Sequence, residues 1–287
     1  MPAIFFAFIS YFGLGIGDIF GAISTRKIGG VQTTFWTRII RLVLFSFYGF
    51  TQLNELQNIT LGLLILNIVI GFILIIGFLA FFEGLRVGNA PLVGSIAGSF
   101  PALVVLLSII FLKEKITSNQ ILAILIIFTG LTFSLLNLKE IINRRVTIDR
   151  GITFAIIAML CWAIYITFVK IPVREIGWFW PSYIPLMLTP LILLFWKFRE
   201  FQISKKLLKQ SLIPTLGAAI LVGVGDFTYN VAIEKGLVSI IAPIAGSYPT
   251  LFVVLAFFVF KDKITKQQIV GIIVTLIGIV LLSVFSS

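Results

Sequence analysis

Ala97-Gly98-Ser99-Phe100-Pro101 and Lys113-Glu114-Lys115-Ile116-Thr117 recur 148 positions later as Ala245-Gly246-Ser247-Tyr248-Pro249 and Lys261-Asp262-Lys263-Ile264-Thr265. The same offset carries Ala7 onto Ala155, Phe20 onto Phe168, Arg26 onto Arg174 and Gly29 onto Gly177, with no gap between the two regions. Chance likeness between apolar segments does not hold one register over that length. The chain therefore reads as two related halves, 1–148 and 149–287.

What each half is made of follows from composition. The 287 residues are 59% hydrophobic and 11% charged, whereas soluble domains run near ~45–50% apolar and ~25% charged. Apolar runs of about 20 residues follow one another along the chain, the length a helix needs to cross roughly 30 Å of hydrocarbon. Ten such runs are expected, near 3–25, 33–53, 61–86, 89–112, 118–137, 151–171, 177–197, 211–235, 238–260 and 266–285. Five spans per half is an odd number, so the second half enters from the opposite side. The expected fold is all-α and integral to the membrane, with about ten transmembrane helices as two inverted five-helix repeats. The connections are short except Leu138 to Arg150 and Phe198 to Gln210, so the function is expected among the helices.

Several classes are excluded on the same grounds. The net charge of +11 could suit nucleic acid, but Lys and Arg are scattered over short connections and form no continuous basic face. After Met1, Pro2 and Ala3 an apolar run begins without a basic leader, so the first run is expected to stay as a span. There is no His, and the single cysteine is Cys161, which removes His and Cys metal sites, Cys-His nucleophiles and disulfides within the chain. Gly13-Leu14-Gly15-Ile16-Gly17-Asp18 looks like a dinucleotide fingerprint but lies inside an apolar helix with no preceding strand. No cofactor and no metal are expected. Gly-x-Ser-x-Gly and closely spaced paired carboxylates are missing too, which argues against an enzyme.

A five-helix unit present twice, with a small-residue and proline motif in its fourth helix and an acidic residue before a short basic turn, resembles the EamA-type proteins of the drug/metabolite transporter superfamily. The residues are Ser99 to Pro101 with Glu114, and Ser247 to Pro249 with Asp262. Cys161-Trp162-Ala163 followed by Lys170 is similar to the family's pattern in a repeat's first helix, although Leu14 and Ala22 stand at the related places in the first half. The resemblance spans essentially the whole chain. It implies movement of amino acids, metabolites or drugs across a membrane, without naming a solute.

The repeat motif has a physical reading of its own. Pro101 and Pro249 fall near the middle of their spans, where a proline removes its own N–H and clashes with the carbonyl four residues earlier. The freed carbonyls would be those of Ala97 and Ala245. In hydrocarbon such groups need helices, hydroxyls or water to satisfy them, and Ser99 and Ser247 stand beside them. Two readings follow: a polar cavity at the midplane, or a structural kink packed on a neighbour. Gly13, Gly17 and Gly21, like Ala90, Gly94 and Gly98, recur every four residues and are expected to let helix backbones approach closely.

Intramembrane charges are the sharper candidates, since each costs at least ~2.5–3.5 kcal/mol near the bilayer centre. Asp18 lies roughly 7 Å and Asp226 roughly 5 Å from the middle of their spans at 1.5 Å per residue, on opposite sides of the midplane. Arg38 and Arg41, at i and i+3, share a face of the second span at a depth like that of Asp18, and an ion pair with it is expected. These four are candidates for coupling or for holding a charged solute, the alternative being a fixed structural pair. Trp162, Tyr165, Tyr248 and Asn230 join Ser99, Pro101, Ser247 and Pro249 as candidate solute contacts, against the reading of the aromatics as packing. Lys170, Glu83 and Glu234 lie near span ends and are expected to snorkel. Trp178, Phe179 and Trp180 resemble an interfacial belt.

Basic residues crowd the odd-numbered connections, which places those connections in the cytoplasm and both termini outside, in a multi-pass protein of the cell membrane. The expected function is a secondary transporter of a small metabolite, amino acid or drug-like solute by alternating access, with lipids and that solute as partners and proton coupling as an option. The alternative is an intramembrane enzyme or a lipid-handling structural protein. Oligomeric state is left open.

Overall fold

The computed structural model describes residues 2–88, 90–135, 150–197, 205–261 and 264–286. Among them there is no strand. The helices are α1 (Pro2–Ile28), α2 (Gly30–Gly49), a 3-10 helix (Phe50–Asn58), α3 (Leu61–Val87), α4 (Ala90–Ala97), α5 (Phe100–Phe111) and α6 (Ser118–Leu135). The second half continues with α7 (Arg150–Phe168), α8 (Lys170–Ile176), α9 (Trp180–Lys197), α10 (Lys205–Lys235), α11 (Val238–Ala245), α12 (Tyr248–Phe260) and α13 (Lys266–Val284).

Among the described residues eight helical stretches are long and apolar enough to cross a membrane. Three of these run through a short interruption, joining most of α4 to α5, α7 to α8, and α11 to α12. The other two of the ten expected spans are helical as well, but α2 carries Arg38, Arg41 and three threonines, and α9 carries three prolines in its first eleven residues. Both therefore fall short of the apolar standard the rest meet.

The halves interlock. α1 lies along α10, α3 along α7 and α6 along α13, so each half's first long helix packs on the other half's third. The first glycine ladder behaves as expected: a Cβ at Gly13 would stand 2.9 Å from the Leu221 carbonyl oxygen, and one at Gly17 2.7 Å from Val222 Cγ2. The second does not, because Gly94 has open space beside it. The closest α6 and α13 approach instead uses Gly130 and Gly271, whose backbones meet Thr275 and Ser134.

The core gathers around α11, all eight residues of which are buried. α11 packs on α5 and α6, whereas among the described residues the repeat-related faces of α4 make no comparable contact with α12 or α13. One end of the bundle is therefore shut, where α5 ends and α11 begins, and among the described residues the matching contacts are not made at the opposite end.

Candidate functional site

Both fourth helices break where the repeat motif falls. α4 ends at Ala97 and α5 starts at Phe100; α11 ends at Ala245 and α12 starts at Tyr248. Ser99 and Ser247 have the same backbone angles, φ −81° and ψ 1°, with Pro101 and Pro249 second in the helix that follows, where a missing N–H is harmless. The serine hydroxyls donate one turn back, Ser99 to the Ser95 carbonyl at 2.9 Å and Ser247 to the Pro243 carbonyl at 2.6 Å. These acceptors differ from the expected carbonyls of Ala97 and Ala245, because the chain leaves the α-helix before the proline instead of kinking around it. Ser99 lines a pocket of about 120 Å³ with Ser95, Pro101, Phe128 and Thr132, while Ser247 is fully buried. The two serines do not share that pocket. The breaks themselves meet, with Pro101 packed on Gly246.

The charges converge elsewhere, at mid-length of α1, α2 and α10. Arg41 donates to Asp226 at 2.5 Å, so the arginine's partner is Asp226 and not Asp18. The reason is helix pairing: Gly17 of α1 faces Val222 of α10 and Gly13 faces Gly225, which sets the two aspartates about 7 Å apart along the axes. They lie within electrostatic reach of each other. Tyr248 is within reach of both, and Tyr165 of Asp226, Arg38 and Arg41. Arg38 and Arg41 are 8% and 7% exposed, yet 41% of the Asp226 side chain is open. On α10, Leu212, Ile213 and Ile220 are exposed, and at 3.6 residues per turn Asp226 lies roughly 40° around the helix from Leu212 and roughly 120–140° from the two isoleucines. Phe5 and Phe12 on α1 are exposed in the same way, and Asp18 stands at roughly the same angle from them.

Around this centre the aromatic candidates divide. Trp162 is ringed by Phe78, Phe81 and Phe100 at centroid distances of 5.4, 5.2 and 5.9 Å, and Gly77 makes room for its indole. Tyr165 lies within hydrogen-bonding reach of Ser182. Asn230, 2% exposed, donates to Ser182 Oγ at 2.7 Å and to the Trp178 carbonyl at 3.0 Å, tying α10 to the start of α9. The expected aromatic belt is buried instead: Phe179 stacks between Tyr183 and Phe227 at 5.1 and 5.2 Å.

The shut end is held by groups that sequence reasoning had placed at span ends without partners. Glu114, 6% exposed, accepts from the Val238 and Ser239 amides at 2.9 and 2.8 Å, an anion on the N-terminus of α11. Lys170 does not snorkel. It is 3% exposed and donates to the carbonyls of Ile233 and Gly236 at the end of α10, a cation on a helix C-terminus. Glu83 pairs with Arg86 at the surface. Asp262, the repeat partner of Glu114, lies outside the described residues. A clue to Glu114 was present, since an acid stands at the same place after the fourth helix of each repeat, but nothing in spacing pointed to an amide 124 positions away.

Together these features describe a polytopic helical membrane protein with a charged centre between two interlocked halves. The chain belongs to the EamA-like transporter family, whose model matches residues 1–136 and 149–284. It is accordingly a membrane transporter and a multi-pass membrane protein. An uncharacterized protein of Methanocaldococcus jannaschii is 28% identical over 140 residues, 47% of this chain and 98% of that one, a length close to one repeat. A protein solved by crystallography, 15% identical, superposes with a TM-score of 0.75 over 99% of this chain and 97% of its own, which bears on the fold alone.

Proposed function

We propose that the chain is a secondary transporter of the cell membrane, built as ten spans in two inverted repeats, 1–148 and 149–287, that carries a small solute by rocking one half against the other. The observation that carries this reading is Asp226: a carboxylate within a long apolar helix, salt-bridged to Arg41, with 41% of its side chain open, which we read as turned to the space between the halves. A charge at that depth is retained where it faces a water-filled path. The solute would lie among Asp18, Arg38, Arg41, Tyr165, Asp226 and Tyr248, with Trp162 forming an apolar wall and the breaks at Ser99–Pro101 and Ser247–Pro249 acting as the joints.

The unequal ends supply the second part of the mechanism. With α11 clamped by Glu114 and seated on α5, the end bearing Glu114 is shut. The end bearing Gly88 and Lys261 belongs to the basic connections and so faces the cytoplasm under the positive-inside rule. This is then the cytoplasm-open state, and transport exchanges it for one in which α4 and α12 close. Asp18 and Asp226 are the groups whose protonation couples the exchange to a pH gradient.

The test is uptake of a labelled metabolite panel into proteoliposomes with and without an imposed pH gradient. Asp18→Asn and Asp226→Asn proteins of intact helicity are compared with the wild type. Saturable uptake that loses its gradient response in either variant supports coupling through that carboxylate. Uptake unchanged in both removes the proposed site.

A further inference from the structure

We propose that Arg38 is the anchor for a carboxylate of the transported solute, so that the substrates are monocarboxylates. This deepens the transporter reading and rests on it.

Two guanidiniums stand one turn apart on α2, and their surroundings differ. Arg41 is met by Asp226. Arg38 is met only by uncharged groups: its Nη1 donates to Thr189 Oγ1 at 3.1 Å, and its guanidinium lies over the Phe78 ring with 4.4 Å to the centroid. Thr189 donates its own proton to the Pro185 carbonyl at 2.9 Å, so its oxygen is turned to accept from Arg38. This fixes the guanidinium between α3 and α9. A guanidinium has five N–H donors in a planar fork, and among the described residues only one of Arg38's is used in a hydrogen bond. Beside it, Arg41 Nε is buried without a partner. The cluster thus presents an immobilised, more than nine-tenths buried cation with a set of unused donors, within electrostatic reach of a partly open carboxylate.

Buried charges that persist in membrane helices pair with another group or mark a pathway, and a fork of this geometry matches a carboxylate in two parallel hydrogen bonds. The count of charge favours a single negative charge. With Asp18 in the protonated form that the proposed coupling gives it and Arg41 neutralised by Asp226, one cation is left for the incoming group, whereas a phosphate dianion would want a second. A neutral solute would leave the fork unfilled. Arg38 lies within electrostatic reach of Asp226 and Tyr165, so an anion seated there borders the groups that face the open space.

The experiment measures binding to purified protein in lipid nanodiscs, by the shift in unfolding temperature, for matched sets: a small monocarboxylic acid, the amide and methyl ester of the same skeleton, and the corresponding phosphate monoester. Uptake of the same compounds is followed in proteoliposomes. Expected are binding and uptake of at least one acid and of neither its amide nor its ester, at least tenfold weaker binding in Arg38→Gln, and partial recovery in Arg38→Lys. Thr189→Val, which frees the guanidinium without removing it, should weaken binding less than Arg38→Gln. Equal binding of acid and amide, wild-type affinity in Arg38→Gln, or preference for the phosphate ester overturns the inference while leaving transport intact. If no compound of any kind binds or enters, the transporter reading fails, and this inference with it. If both Arg38 variants fail to fold, the acid-against-amide comparison on the wild-type protein decides alone.

Discussion

Replacing Glu114 by Gln should open the shut end of the bundle. The carboxylate accepts two amide hydrogen bonds, at 2.9 and 2.8 Å, from the first turn of α11. Bonds to a charged group are worth ~1.5–3 kcal/mol each, and an anion on a helix N-terminus adds ~0.3–1 kcal/mol. Glutamine keeps one acceptor oxygen but neither the charge nor the second bond, so the shut arrangement should lose about 2–3 kcal/mol. At 1.4 kcal/mol per factor of ten, that shifts the equilibrium toward opening by roughly 30- to 150-fold. Ser239 reports on it: its side chain is fully buried behind the clamp. In a Cys161→Ser background, Ser239→Cys should react slowly with a membrane-impermeant maleimide added from the non-cytoplasmic side. Adding Glu114→Gln should raise the rate by a factor approaching the one above. An unchanged rate in a protein of native helicity would refute the assignment of Glu114 as the clamp.

Gly17→Ala should destabilise by about 1–3 kcal/mol through overpacking, because its new methyl would press on Val222, whereas Gly21→Ala, with its nearest neighbour at 4.0 Å, should be neutral; thermal unfolding in detergent compares them. Asp226→Asn strands the Arg41 charge and, the pair being only partly buried, should cost about 1–3 kcal/mol, and a double-mutant cycle with Arg41→Gln should recover most of that loss. Glu55, in the 3-10 helix outside the spans, has its carboxyl pushed up by burial and then by Glu234. A raised carboxyl pKa means the ionised form is disfavoured on folding, a penalty absent in acid and present once pH exceeds the folded-state value. Glu55→Gln should therefore raise the unfolding temperature near neutral pH and leave it unchanged in acid.

Much of this architecture was legible because it rests on local chemistry. Proline plus serine at the same two places announced the broken helices, and glycine every fourth residue in α1 announced its close contact with α10. The cost of burying charge singled out Asp18, Arg38, Arg41 and Asp226, but the reading set Asp226 across the midplane from the other three. Which aspartate takes Arg41 was not legible, since depth measured from span centres ignores how α1 and α10 slide past one another. Gly94 misled because an open face and a packed face have the same spacing. Lys170 reads as a snorkelling span-end residue until the C-terminus of α10, some sixty positions on, is brought against it. Phe179 and Trp180 look interfacial by position and become core because α2 and α10 close over them.

The central claim, that solute passes as one half rocks on the other about the helix breaks, is tested by locking the two breaks together. A Cβ on Gly246 would lie 3.1 Å from Pro101 Cβ, slightly inside the ~3.5–4.5 Å usual for a disulfide, so a Pro101→Cys, Gly246→Cys pair in a Cys161→Ser background should cross-link after a small adjustment. Uptake into proteoliposomes is then compared before and after reduction. The account predicts that the fully oxidised protein takes up no more than empty liposomes and that reduction restores uptake; unchanged uptake with the cross-link complete would contradict it.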